Sequence, residues 1–305
     1  MQLTFKREIS LVGTGLHSGR PARLVLRPMT EGGVRFRRVD VTDRDNIIPA
    51  RYDLVTDTRL CTLLSNAEGV SVSTVEHLMA ALAGTGITHA LIDIDGPEIP
   101  IMDGSALRFA RAILKAGLRE LDGPARAIRV LKPVTLEEGE ILVSLRPAPA
   151  LSIDFEIDFS DAAISRQAKS LSMVNGAFLR ELADCRTFCR RADVEAMQAR
   201  GLALGGTLDN AVVVDGATVL NPGGLRRADE FVRHKMLDAL GDLALAGAPI
   251  IGAYRGVRAG HGPTNRLLRK LFATEGAWEE VLLDPVEARS LPGAGVGIDD
   301  LARAS

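Results

Sequence analysis

The stretch Phe231-Val-Arg-His-Lys-Met-Leu-Asp-Ala-Leu-Gly-Asp-Leu-Ala-Leu245 constrains this chain more than any other. Met, Leu, Ala and Lys dominate it and Pro is absent, so it reads as a helix. Four-residue steps put His234, Asp238 and Asp242 in one stripe on that helix. Phe231, Val232, Met236, Leu237, Leu240, Leu243, Ala244 and Leu245 flank the stripe on both sides. A helix apolar on nearly every face belongs in an interior, where carboxylates and imidazoles without partners are costly. An intrahelical His–Asp pair is the simple way to satisfy them. A divalent metal is the other, because His and Asp at i, i+4 have a workable ligand spacing.

The rest of the chain must decide between these. Its 305 residues suffice for one large domain or two ordinary ones, and 46% hydrophobic with 25% charged residues is a globular balance. A formal charge of -2 and 4% aromatic residues argue against nucleic acid as a partner. No window is long and uncharged enough for a transmembrane segment, and the first residues lack the apolar run of a signal peptide. Cys61, Cys185 and Cys189 are sparse and odd in number, which suits a cytoplasmic protein rather than a disulfide framework.

In chain order, strands are expected over residues 2–10, 23–27 and 33–38, with a Gly-punctuated turn over 11–19 that lacks the Lys-Ser/Thr of a P-loop. His17 in that turn reads as a loop histidine with room to contact a substrate. Residues 40–68 read as a short-stranded excursion. A helix over 74–83, closed by Gly84, carries Glu76 and His77, and Ser73-x-x-Glu76 also fits a capping box. A buried strand over 90–95, Asp103-Gly and a helix over 106–116 follow. Asp122-Gly-Pro124 is the best linker, and strands resume beyond it.

The two halves share an order. A helix with His77, an apolar strand, Asp103-Gly and an amphipathic helix match a helix with His234, an apolar strand, His261-Gly and an amphipathic helix over 265–272. The intervals are 26 residues from His77 to Asp103 and 27 from His234 to His261. The expected fold class is α+β, built from two similar α/β sandwich domains, each a sheet backed by helices and each with an insertion. The first domain spans 1–122 with a small β insertion. The second spans 127–285 with a strand–helix–strand insertion at about 186–215, and a loose tail covers 286–305. Packed helix to helix, the halves bring His77 towards His234 and Asp238, three protein ligands with a fourth position open, as in a catalytic zinc site. Glu76, beside His77, is then placed to take a proton from water at the metal.

The strings STVEHLMAALAG, RTF, EFVRHKMLDALGDLALAG and AGHGPTN, with GTGLHSGRPARLVLRP, DGPEIPIMDGSA and GLALGGTLDNAVVVD, resemble the UDP-3-O-acyl-N-acetylglucosamine deacetylases, zinc amidases of lipid A biosynthesis. The likeness runs along nearly the whole chain and implies an active site between the two domains. It implies that His77, His234 and Asp238 bind Zn2+, Fe(II) being suited to the same donors, and that Glu76 is the general base. It makes His261 a protonated imidazole that steadies the oxyanion or protonates the leaving amine, Asp242 its partner, and Thr187 a hydroxyl at the oxyanion. Lys235 and Phe188 match substrate-binding positions, Phe159 the position that stacks on uracil, and Val194, Leu208, Ala211 and Val213 the acyl passage, with Leu16 at its mouth. Cys189 and Arg190 depart from the pattern where Gly and a bulky apolar residue are expected. Gly262-Pro263-Thr264 and Arg59 depart from it as well.

The activity so implied is hydrolysis of the N-acetyl group of a UDP-3-O-(3-hydroxyacyl)-N-acetylglucosamine. The small-molecule UDP-sugar lipid is the one partner required, and no obligatory protein partner is evident. A zinc amidase acting on another acylated amino sugar is the alternative. A binding module clamped by a metal is a third reading, which leaves Glu76, Thr187 and His261 without a purpose together.

Overall fold

The computed structural model describes residues 2–303, and the duplication appears in its strand order. One five-stranded sheet runs Ile9–Thr14, Pro21–Pro28, Ala90–Ile94, Val34–Arg38 and Ile47–Pro49 from edge to edge. The other runs Val134–Glu138, Ile141–Arg146, Ala253–Val257, Ser152–Asp158 and Arg166–Ser172. In each, the central strand pairs parallel with the fourth and every other pairing is antiparallel. The strands alternate as half-buried strands must. Ala22, Leu24 and Leu26 point inward from one sheet, and Ile153, Phe155 and Ile157 from the other.

The helices are α1 (Glu76–Gly84), α2 (Leu107–Ala116), α3 (Arg191–Gln198), α4 (Glu230–Ala244) and α5 (His261–Ala273). α4 and α5 lie on the second sheet, α2 packs on α1 and on strand Ile9–Thr14, and α1 packs extensively on α4. Both α1 and α4 are buried on almost every face, as their composition requires. Their approach is close enough that a Cβ on Gly241 would run into the Glu76 carbonyl oxygen. Gly241 therefore sets how near the stripe of α4 comes to the start of α1.

Each half carries a small inserted sheet, besides the pairing of Gln2–Phe5 with Leu118–Leu121 in the first and the sheet of Ile250–Ile251, Ala125–Val130 and Trp278–Leu283 in the second. Residues 55–72 form strands Val55–Asp57, Leu63–Ser65 and Ser71–Val72. In the second half, Phe188–Arg190, α3 and the parallel strand Val212–Asp215 make a strand–helix–strand unit, with Thr218–Val219 added antiparallel.

Several expectations shift. Strand Ile9–Thr14 continues through residues read as a turn, and the turn starts at Gly15. α1 begins at Glu76, after Thr74 adopts a left-handed φ of 59°, a strained conformation for a β-branched residue. Gly84 lies inside α1 rather than beyond it, where a Cβ would strike Phe178. α5 begins at His261, not at Asn265, since Pro263 is tolerated in a first turn whose N–H groups have no helical acceptor. The segment from Val286 forms short 3-10 turns at Glu287–Ser290 and Ile298–Arg303. Ala288 and Leu291 pack with Ala125, Ala127, Ile251 and Leu283 in a second small core, which gives an Ala- and Gly-rich segment apolar surface to bury. The expectation for residues 304–305 lies outside the described residues.

Candidate metal centre and active site

The stripe of α4 faces the first turn of α1. His77 Nε2 lies 3.5 Å and His234 Nε2 3.3 Å from Asp238 Oδ1, and one ligand atom from each residue falls within 4.8 Å of the others. The His77 and His234 rings meet edge to face with centroids 4.9 Å apart. All three side chains are buried. His77 Nδ1 and Asp238 Oδ1 have no hydrogen-bond partner among the described residues, an expensive state for buried polar atoms. His234 is held by the Cys185 carbonyl, which accepts from its Nδ1 at 3.0 Å and leaves the Nε2 lone pair directed at the cluster. Burial pushes His234 down to about 4, so the imidazole is neutral. Burial alone would raise Asp238, but His234, Lys235 and His77 hold it well below the usual carboxylate range. Two imidazoles and a carboxylate converging in one buried cluster are the donor set of a divalent metal with an open coordination position, so these residues fit one.

Glu76 and His261 stand beside this cluster, with His261 Nε2 4.0 Å from Glu76 Oε1. Burial raises the Glu76 carboxyl, while His261 and His77 pull it partly back. The capping box does not form: Ser73 N–H donates to the Pro97 carbonyl, and Glu76 Oε2 accepts the Thr62 N–H at 3.0 Å. His261 Nδ1 is 2.8 Å from Asp242 Oδ2. Burial would lower the imidazole, but Asp242, and more distantly Glu76 and Asp238, raise it to about 9.

Thr187 follows the pinned residues Cys185 and Arg186. Arg186 Nε donates at 2.9 Å to Glu230, a fully buried carboxylate in the first turn of α4 that also accepts from the Arg186 and Arg226 N–H groups. The Thr187 N–H donates to the Gly104 carbonyl at 2.8 Å. Phe188 packs edge to face on Phe159, Phe231 and His234. Lys235 Nζ donates to Asp238 Oδ2 at 2.7 Å. Burial works against its charge, but Asp238 raises it.

A cavity of about 310 Å³ joins these groups, walled by Glu76, His77, Thr187, His234, Lys235, Asp238 and His261 and also by Leu16, Phe159, Phe188, Cys189 and Arg190. Asp242 stands behind His261, outside that wall. Arg190 lies 2.9 Å from Asp161, and His17, whose ring nitrogens are buried without partners among the described residues, also lines the space. Arg59 lies outside it, exposed and paired with Asp57. Val194, Leu208, Ala211 and Val213 do not line this cavity; they sit on the insertion, Val194 on α3, Val213 paired with Cys189 and Leu208 exposed. Sequence reasoning missed Thr62 and the Cys185 carbonyl. Thr62 lies in an irregular stretch with no periodic signal, and a backbone acceptor leaves no trace in residue type.

The family profile for UDP-3-O-acyl N-acetylglycosamine deacetylase matches residues 2–273. A UDP-3-O-acyl-N-acetylglucosamine deacetylase of Phenylobacterium zucineum (strain HLK1) is 50% identical over 278 residues, covering 91% of this chain and 95% of that protein. Proteins of the same name from Anaeromyxobacter sp. (strain Fw109-5) and Pasteurella multocida (strain Pm70) are 48% and 46% identical, over 92% and 94% of this chain and 92% and 95% of their own lengths. Likeness at that level across both halves, with the buried His–His–Asp cluster between them, makes this chain a member of the UDP-3-O-acyl-N-acetylglucosamine deacetylase family.

Proposed function

We propose that this chain hydrolyses the N-acetyl group of a UDP-3-O-acyl-N-acetylglucosamine, releasing acetate and the free amine in the lipid A pathway. Family membership supports the reaction. The observation that carries the residue roles is the meeting, in one cavity, of a buried carboxylate and a charged imidazole beside the buried His–His–Asp cluster.

His77, His234 and Asp238 hold the metal, which we assign as Zn2+; metal analysis of the purified protein separates it from Fe(II), which two His and one Asp also suit. A divalent cation there supplies Lewis acidity, acidifying water and polarising an amide carbonyl. Glu76, made more basic by burial, takes the proton from the attacking water. The Thr187 hydroxyl donates to the oxyanion as the carbonyl becomes tetrahedral. His261, raised to about 9, is protonated at neutral pH and delivers its proton to the departing nitrogen. Lys235 and Phe188 contact the substrate, Lys235 facing the diphosphate, Phe159 stacks on the uracil, and Leu16 opens onto an acyl passage through Val194, Leu208, Ala211 and Val213. We place the enzyme in the cytoplasm, on its three free cysteines. No helix among the described residues is long and apolar enough to cross a membrane.

The test is acetate release from the UDP-linked acyl sugar. Turnover is expected to fall below detection after strong chelation and to return with Zn2+. Undiminished turnover in fully metal-free protein rules the metal role out. Equal turnover of an acylated amino sugar lacking UDP favours an amidase of different substrate.

A further inference from the structure

We infer that Thr62 is a positioning residue, tying the base Glu76 to the acid pair Asp242–His261 across the two halves of the chain. The inference rests on the roles proposed above for Glu76 and His261. Thr62 is 1% exposed, and each of its polar groups is engaged. Its N–H donates to Glu76 Oε2 at 3.0 Å, its hydroxyl donates to Asp242 Oδ1 at 2.6 Å, and its carbonyl accepts the Val75 N–H at 3.4 Å. The first and third contacts fix the start of α1, where the base emerges. The second reaches 180 residues along the sequence to α4.

The donor count gives the arrangement a direction. A hydroxyl has one proton, and here it goes to Asp242 Oδ1, which leaves Oδ2 facing His261 Nδ1 at 2.8 Å. A short hydrogen bond to a buried carboxylate sets the rotation of the carboxyl plane, and that plane aims the imidazole. Since the same residue anchors Glu76 through its backbone, the base and the acid share one reference point. The 4.0 Å between Glu76 Oε1 and His261 Nε2 is held from both ends. Among the described residues, Thr62 is the side chain that hydrogen-bonds Asp242 besides His261.

Val in place of Thr62 keeps the shape and the backbone N–H but removes the hydroxyl, so it releases Asp242 while leaving Glu76 anchored. On metal-loaded enzyme, Thr62→Val is expected to lower kcat by about tenfold or more with KM changed by about twofold at most, in the range for removing an outer partner of a site. Thr62→Ser, which restores the hydroxyl, should recover most of that loss. In an Asp242→Asn background Thr62→Val should cost little further, because both changes break one connection. Unchanged kcat in Thr62→Val, a loss that Ser does not recover, or full additivity with Asp242→Asn overturns the proposal. Should the Val variant not fold, Thr62→Ala against Thr62→Ser makes the same comparison. A crystal structure of the metal-loaded variant reads the tie without turnover: the Asp242–His261 contact should lengthen while the Glu76 contact to the residue 62 N–H stays. If wild-type enzyme releases no acetate but the variant shows that displacement, the functional reading fails and the tie stands. If wild-type enzyme turns over and the Asp242–His261 contact is unmoved, the tie fails alone.

Discussion

Asp103-Gly104 and His261-Gly262 occupy matching places, each after the central strand of its sheet, the first just before a helix and the second in the first turn of one, yet they do different work. In the first half, Asp103 Oδ2 accepts from Arg226 at 3.0 Å and Oδ1 from Ser105 at 2.9 Å, and Gly104 approaches Asn210 so closely that a Cβ would strike its carbonyl oxygen. That loop latches the first half to the segment carrying Thr187, whose N–H the Gly104 carbonyl holds. In the second half, the same place carries an imidazole aimed into the cavity. A duplicated framework thus fixes where a loop goes, and the residue at its tip decides whether it fastens or reacts.

The largest expected effect separates the two loops directly. His261→Ala should lower kcat by about a hundredfold or more, as when a positioned acid is removed. Asp103→Asn should keep kcat within about threefold, because it loosens a latch and takes no proton from the reaction. Steady-state kinetics of both variants at neutral pH measures the ratio. Comparable losses would mean the first-half loop is part of the chemistry and the division of labour is wrong.

A smaller effect tests the second-half loop through its partner. His261 sits at about 9, above its ordinary 6.5, so the protonated acid is present at neutral pH and is lost as pH rises through about 9. Activity should therefore fall on that alkaline side. The raised value also stabilises the fold, fully below pH 6.5 and progressively less as pH rises towards 9. Asp242→Asn removes the carboxylate that holds the proton there, so the alkaline limb of kcat against pH should move down by about a unit or more. A limb that stays in place assigns it to another group.

How much of this was legible in the sequence follows from what each signal depends on. Composition marked α4 as buried, and four-residue spacing put His234, Asp238 and Asp242 on one face, because both are properties of a helix alone. The near-equal intervals in the two halves carried the pairing of His77 with His234 and Asp238, since equal intervals reflect equal topology. The start of α5 was not legible: Gly-His-Gly-Pro reads as a loop by propensity, and only packing extends a helix back to His261. Thr62 was not legible either, because a residue in an irregular loop acquires its role from contacts made 180 residues away. Glu76 shows the limit most clearly. Ser73-x-x-Glu76 supported a capping box by pattern, and the strained turn at Thr74 sends the carboxylate to the Thr62 N–H instead.

The smallest effect belongs to the first-half latch, and it has the opposite pH sign. Burial would raise Asp103, but Arg226 and Ser105 hold it below its ordinary 3.8. Its contribution to stability is therefore present above pH 3.8 and lost as pH falls through the lowered value, whereas that of His261 is lost on the alkaline side. The Arg226 and Asp103 side chains keep 33% and 17% of their exposure, so solvent screens the pair and its worth is about 0.5 kcal/mol. Arg226→Ala should accordingly lower Tm by about a degree or two at neutral pH, and by less when measured near pH 3. The alkaline limb of the activity profile should not move, because nothing in the latch touches His261 or Asp242. A shift of that limb in Arg226→Ala would show that the two loops are coupled through the Thr187 segment, and that the halves share more than a framework.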